Sequence, residues 1–254
     1  MVSLLPTSLR GSHSMSMRRV RYGALNCTVV EADSEQRPDR LAVLCHGFGA
    51  PGDDLVPLAD ELLAHFPWKH RVRFVFPASP LSLDEWGMPG ARAWWPISIQ
   101  SLLSAFERGE TDVLKDFSPQ ELPAVRDALD LCCSAALEDA GLGRDRLVLG
   151  GFSQGAMIST ELALHRAERL AGLILWSGTL IRRPYWTQQA ELTPPLRVVQ
   201  SHGRQDTVLP FVTGEWLRDL LVAGGHDVNF LPFNGPHTIP MPAFEAAAHL
   251  LDAD

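Results

Sequence analysis

The stretch Leu147-Val148-Leu149-Gly150-Gly151-Phe152-Ser153-Gln154-Gly155-Ala156-Met157 restricts the fold of this chain more than any other. An apolar run of strand length enters Gly151-x-Ser153-x-Gly155, and a helix-forming segment leaves it. That is the context of a strand–turn–helix elbow that lifts a serine out of a sheet. Such a turn holds its central residue in strained backbone geometry, and a side chain at either flank would strike the neighbouring strand or helix. Glycines on both sides meet that need. Gly-x-Ser-x-Gly also occurs in ordinary turns, so the rest of the chain has to supply the strands, helices and partner side chains of an elbow.

It supplies the strands and helices in alternation. Arg18 to Tyr22 and Leu25 to Ala32, around Gly23, read as an antiparallel hairpin. After a polar turn from Asp33 to Asp39, Leu41 to Cys45 is an unbroken apolar strand that runs into His46-Gly47-Phe48-Gly49. Asp53 and Asp54 open an amphipathic helix through Leu55, Leu58, Leu62, Leu63 and Phe66, and Arg71 to Phe76 is a strand stopped by Pro77. A long connection with Trp86, Trp94 and Trp95 follows; inside a compact domain a connection of that length is functional rather than neutral. Helices are expected over Ile99 to Arg108 and Pro119 to Ala140, then the elbow strand Arg146 to Gly151 and a helix from Ala156 to Arg166. Beyond come a strand (Leu170 to Trp176), a long polar loop (Gly178 to Pro195) and a strand (Leu196 to Ser201). A helix (Phe211 to Ala223), a strand (Asp227 to Phe233) and a last helix (Ala243 to Leu251) complete the chain. The fold class is α/β: a mostly parallel central sheet with helices on both faces and an N-terminal antiparallel hairpin, whose ligands sit outside the carboxyl ends of the strands.

Composition narrows the function. A chain of 254 residues, 46% of them hydrophobic, can build one sizeable core, so residues 18–254 are expected to form a single domain. The formal net charge of −8 gives no attraction for a phosphate backbone, and nucleic acid is excluded as a partner. Cys27, Cys45, Cys132 and Cys133 show no Cys-x-x-Cys spacing and read as reduced, buried thiols of a cytoplasmic protein. Residues 1–17 read as a disordered extension; being free of acidic residues and carrying Ser and Arg, they also fit a transit peptide loosely. No stretch has the length and apolarity for stable membrane insertion.

A serine hydroxyl needs a base to take its proton and an acid to orient that base. Among the nine histidines, His237 lies where a base should, in the loop between the last strand and the last helix. Asp206 lies just past the strand ending at Ser201, and the order Ser153, Asp206, His237 is that of the α/β-hydrolases. His165 and His249 fall inside helices, His226 begins a strand at the wrong edge, and His202, next to Gly203, suits a turn. The oxyanion needs fixed backbone donors: Gln154 N–H after the nucleophile, and Phe48 N–H in the loop after an early strand. His46 reads as a hydrogen bonder that braces that loop.

These residues together resemble the phospholipase/carboxylesterase family of α/β-hydrolases, which includes acyl-protein thioesterases and small bacterial carboxylesterases. The likeness rests on His46-Gly47-Phe48-Gly49 with Asp53-Asp54, Trp94-Trp95, Gly151-Phe152-Ser153-Gln154-Gly155, His202-Gly203 with Asp206, Val208 and Pro210, and Gly235-Pro236-His237. It implies a serine hydrolase without metal or cofactor, acting on small-molecule or lipid-like acyl esters or thioesters. Acyl transfer to another acceptor uses the same residues, and a ligand-binding homologue without turnover is the alternative from another class. Trp94 and Trp95 have the flat apolar faces of an acyl pocket wall; core packing is the alternative for the pair, and one tryptophan in each role is expected. Ala50-Pro51-Gly52, inserted before Asp53, and Pro96 after Trp95 depart from the family pattern, and they point to the substrate side of the site. Monomer and homodimer are both left open.

Overall fold

The structure, a computed structural model, describes residues 15–32, 36–65, 68 and 70–253. Strands β1 (Met15–Tyr22) and β2 (Leu25–Ala32) form the hairpin, and β3 (Arg40–Cys45), α1 (Val56–His65) and β4 (Val72–Pro77) follow. The long connection contains a short ladder of β5 (Leu81–Ser82) and β6 (Arg92–Ala93). Helices α2 (Ile99–Glu107), α3 (Thr111–Lys115) and α4 (Leu122–Ala140) lead to β7 (Leu147–Phe152) and α5 (Gln154–Arg166). The chain ends through β8 (Gly172–Trp176), α6 (Arg183–Leu192), β9 (Arg197–Gly203), α7 (Phe211–Ala223), β10 (Asp227–Phe233) and α8 (Met241–Asp252).

Eight strands make one sheet in the order β1-β2-β4-β3-β7-β8-β9-β10. β1–β2 and β2–β4 pair antiparallel, and every other pair in the sheet is parallel. β3, β7 and β8 occupy the centre because their side chains are apolar on both faces, as a sheet covered by helices on both sides requires. Alternate residues divide between two cores. Val43, Leu149 and Leu175 pack with α4, α5 and α7 on one face; Leu44, Val148 and Ile174 pack with α1 and α8 on the other. The carboxyl ends of β3, β7 and β9 therefore open onto one edge.

Three elements differ from their expected form. The hairpin strand starts at Met15 rather than Arg18, so the extension expected over residues 1–17 is strand from Met15 onward, and its first fourteen residues lie outside the described ones. The expected polar loop from Gly178 to Pro195 contains helix α6, which buries only Trp186 and Ala190. Four residues apart, they make one narrow stripe on an otherwise polar helix, too little to register as a period. Helix α3 was not expected; it is a single turn and a half held by its neighbours. Phe66, the last apolar position expected for α1, lies outside the described residues.

Candidate active site

The elbow is built as the glycines demand. Ser153 has φ 56° and ψ −118°, a strained conformation for a side chain that is not glycine, and its N–H is tied to Trp176 O at 2.8 Å. A methyl group at Gly151 or Gly155 would run into the carbonyl oxygen of Cys45, because α5 leaves the elbow pressed against the end of β3. The first turn of α5 closes back on the nucleophile, with Ala156 N–H and Met157 N–H donating to Ser153 O at 3.0 and 3.2 Å.

Asp206 and His237 meet beside it. Arg204 N–H donates to Phe233 O at 2.8 Å and Gln205 N–H to Gly235 O at 3.0 Å, which locks the loop after β9 to the loop after β10. His237 Nδ1 then lies 2.6 Å from Asp206 Oδ2, and the His237 ring sits 4.6 Å, centre to centre, from Phe152, the residue preceding the serine. Asp206 Oδ1 accepts Val208 N–H at 2.9 Å and Leu209 N–H at 2.8 Å. Burial by itself would raise the Asp206 carboxyl, but the hydrogen bonds from His202, His237 and Leu209 outweigh it and hold the group well below the usual carboxylate range. Asp206 is thus a fixed anion, and it fixes the His237 tautomer with the proton on Nδ1.

The loop after β3 faces the serine. A Cβ on Gly47 would stand 3.4 Å from Ser153 Cβ, so the backbone of His46-Gly47-Phe48 lies against the nucleophile. Phe48 N–H makes no hydrogen bond among the described residues, and Gln154 N–H, the first of α5, has no intrahelical acceptor. His46 is buried and braces this loop: its Nε2 accepts Ser79 N–H at 3.1 Å, which leaves Nδ1–H to donate to Gly47 O at 2.8 Å. Burial lowers its pKa, in keeping with a neutral ring.

Trp94 and Trp95 correct the expectation of an acyl pocket wall. Their exposures are 1% and 0%, and both belong to the core under the elbow. Gln154 Oε1 accepts Trp94 N–H at 2.9 Å, Gln154 Nε2 donates to Trp95 O at 2.9 Å, and Trp94 Nε1–H donates to His46 O at 2.9 Å. The pair is a brace between the two candidate oxyanion donors. The inserted Ala50-Pro51-Gly52 belongs to the same framework: Arg92 N–H donates to Ala50 O at 3.1 Å, and a methyl on Gly52 would strike Ala78.

The apolar cavity lies elsewhere. It encloses about 30 Å³ between α2–α3 and the loop after β9, with Phe106, Leu114, Phe117, Met157, Val208 and Leu209 in its walls. Sequence periodicity gave no sign of it, since its lining comes from segments that meet only in the fold. A larger cleft of about 430 Å³ lies at the edge hairpin, among Arg19, Arg21, Asn26 and Asp53; Ser153, Asp206 and His237 border neither space, but the apolar cavity is walled by Met157 of the first turn of α5 and by Val208 and Leu209 beside Asp206. Two other histidines are engaged away from the elbow: His165 Nδ1 with Tyr185 OH at 2.6 Å, and His226 Nδ1 with Leu196 N–H at 3.2 Å. Among the described residues no group of His, Cys, Asp and Glu side chains is arranged as a metal site, and no helix is long and apolar enough to cross a membrane.

Comparison with known proteins agrees with the α/β fold. The family model described as Phospholipase/Carboxylesterase matches residues 25–253. An acyl-protein thioesterase 1 from Mycosarcoma maydis is 29% identical over 223 residues, covering 85% of this chain and 88% of that protein. The crystal structure of esterase PE8 superposes with a TM-score of 0.70 at 23% identity, covering 93% of this chain and 97% of its own. A carboxylesterase from Mesorhizobium loti superposes with a TM-score of 0.69 at 17% identity, covering 94% of this chain and 99% of its own.

Proposed function

The chain belongs to the phospholipase/carboxylesterase family and is a hydrolase of carboxylic esters or thioesters, and from that premise we propose that it works through an acyl-enzyme on Ser153, with His237 as base and Asp206 as its orienting acid. The observation that carries this reading is the 2.6 Å contact between His237 Nδ1 and Asp206 Oδ2, with the His237 ring placed against Phe152 at the elbow. With Nδ1 engaged, Nε2 is the nitrogen left for the serine proton. Ser153 Oγ attacks the acyl carbonyl, and its proton passes to His237 Nε2. The oxyanion forms among Phe48 N–H and Gln154 N–H, backbone donors of the kind that cost no reorganisation. Collapse expels the alcohol or thiol, protonated by His237; a water then repeats the sequence and releases the acid.

The acyl group enters the cavity between Phe106, Phe117 and Leu209. Its volume of about 30 Å³ is well below the roughly 300–1,000 Å³ of pockets that take drug-sized ligands, so short acyl groups fit as the site stands, and longer ones require α2–α3 to move. The likeness to an acyl-protein thioesterase favours a thiol leaving group as a second reading within the same mechanism. A fluorophosphonate should label the protein only at Ser153, and Ser153→Ala should lose both labelling and turnover on p-nitrophenyl acetate and an acyl thioester. Labelling and turnover that survive in Ser153→Ala would sink the assignment.

A further inference from the structure

Asp206 has two imidazoles within reach, and only His237 adjoins the elbow. His202, near the end of β9, is completely buried; its Nε2 lies 2.8 Å from Leu209 O and 3.3 Å from Asp206 Oδ2. Both neighbours are acceptors, so Nε2 carries the proton. Nδ1 has no hydrogen-bond partner among the described residues and is packed against Gly214 of α7, where a methyl group would collide with the ring. A second proton there would make a buried N–H without an acceptor on a buried cation, a costly combination. His202 is thereby held as the neutral Nε2–H tautomer, a donor that cannot turn away.

The segment it grips is the turn that carries the acid. Leu209 N–H and Val208 N–H donate to Asp206 Oδ1, while Leu209 O receives His202. The turn is closed from both sides around the carboxylate, and Val208 and Leu209 are the residues it presents to the apolar cavity. We propose that His202 is a positioning residue for the reaction: its Nε2–H fixes the Asp206-to-Leu209 turn, so that the Asp206 carboxylate is held where it orients His237. The proposal rests on the triad of Ser153, His237 and Asp206. Few other charged groups face this pair. Phe211 of α7 meets the His202 ring edge-on, Arg204 stands over Phe211, and Arg218 of α7 stands over Phe230.

The test is the measurement of kcat and KM on p-nitrophenyl acetate for the full chain and its His202→Leu, His202→Gln and Ser153→Ala variants. His202→Leu is expected to lower kcat about 10- to 100-fold, the loss of one hydrogen bond to an ionised group, with KM changed by no more than about three-fold. His202→Gln, which still offers an N–H, should recover most of the rate, with KM again little changed. Unchanged kcat in His202→Leu, or equal loss of kcat in both variants, would overturn the positioning role. A measurement on the unaltered protein stands apart from variant folding: ¹⁵N shifts of His202 at the pH of the assay should show a protonated Nε2 and a bare Nδ1. A protonated Nδ1 overturns the proposal. Ser153→Ala separates the two failures. Turnover without Ser153 overturns the triad and this proposal with it, whereas turnover lost in Ser153→Ala but intact in His202→Leu overturns the positioning role alone.

Discussion

The two sides of Ser153 are held by different kinds of force. On one side, the elbow, the loop after β3 and the Trp94-Trp95 pair are joined by buried, directional hydrogen bonds to backbone groups, and by glycines that leave no room for a side chain. On the other, α2 and α3 form the cavity wall through apolar side chains and are tied down from outside. Arg183 at the start of α6 reaches Asp112 and Asp116 at 2.8 Å each, and Lys115 Nζ lies 4.4 Å from the centre of the Trp216 ring. Buried hydrogen bonds keep their strength because water cannot compete for them; exposed ion pairs are largely screened. The contrast teaches that the groups that would act on the carbonyl are preorganised, while the surface that would receive the acyl chain is held weakly enough to adapt.

The largest effect should come from the rigid side. Asp206→Asn is expected to lower kcat by about 10⁴-fold through loss of the correct His237 tautomer, measured with p-nitrophenyl acetate. The same variant tests the carboxylate by stability. The Asp206 pKa is depressed in the folded protein, so its contribution is present above the ordinary Asp range near 4 and is lost as pH falls through the folded value. The difference in melting temperature between the two proteins should therefore narrow as the pH is lowered below about 4. A gap that widens on acidification would contradict the sign of the shift.

Next in size is the brace. Gln154→Leu removes both bonds to the Trp94-Trp95 backbone and should lower kcat about 10²-fold with little change in KM, because it disturbs donors needed only in the transition state. An effect confined to KM would move Gln154 to the adaptable side of the comparison. Phe117→Ala, on that side, should raise kcat/KM for hexanoyl relative to acetyl esters by about 10-fold, within the range of one or two methylenes in an apolar pocket. The smallest effect is expected of Arg183→Ala, which releases α3 at the surface. Acetyl ester turnover should stay within about two-fold of the original while longer esters gain modestly. A large loss on the acetyl ester would show that the wall is as rigid as the elbow.

Much of this was legible in the chain because the rules involved are local. The period of apolar residues marks strands and helices, and β10, α7 and the central strands follow it closely. A sharp turn that lifts Ser153 needs glycine at Gly151 and Gly155 wherever it occurs, and Asp206 and His237 were marked by falling just past strand ends. Helix α6 is hidden because two buried residues in ten leave no periodic trace, and His202 reads as a turn residue because nothing nearby in sequence says which way its ring faces.

The sequence by itself determined the sheet-and-helix alternation, the strained serine at its centre and the order of the residues that meet there, since backbone sterics and hydrophobic periodicity act over a few neighbouring residues. The tertiary structure alone decided that Trp94 and Trp95 brace rather than line, that His202 grips the turn of Asp206, and that the cavity lies under α2 and α3. Trp94 and Gln154 are 60 residues apart in the chain. A hydrogen bond between them, like a cavity shared by α2, α5 and the loop after β9, depends on which surfaces the folded layers press together, and no local pattern carries that information.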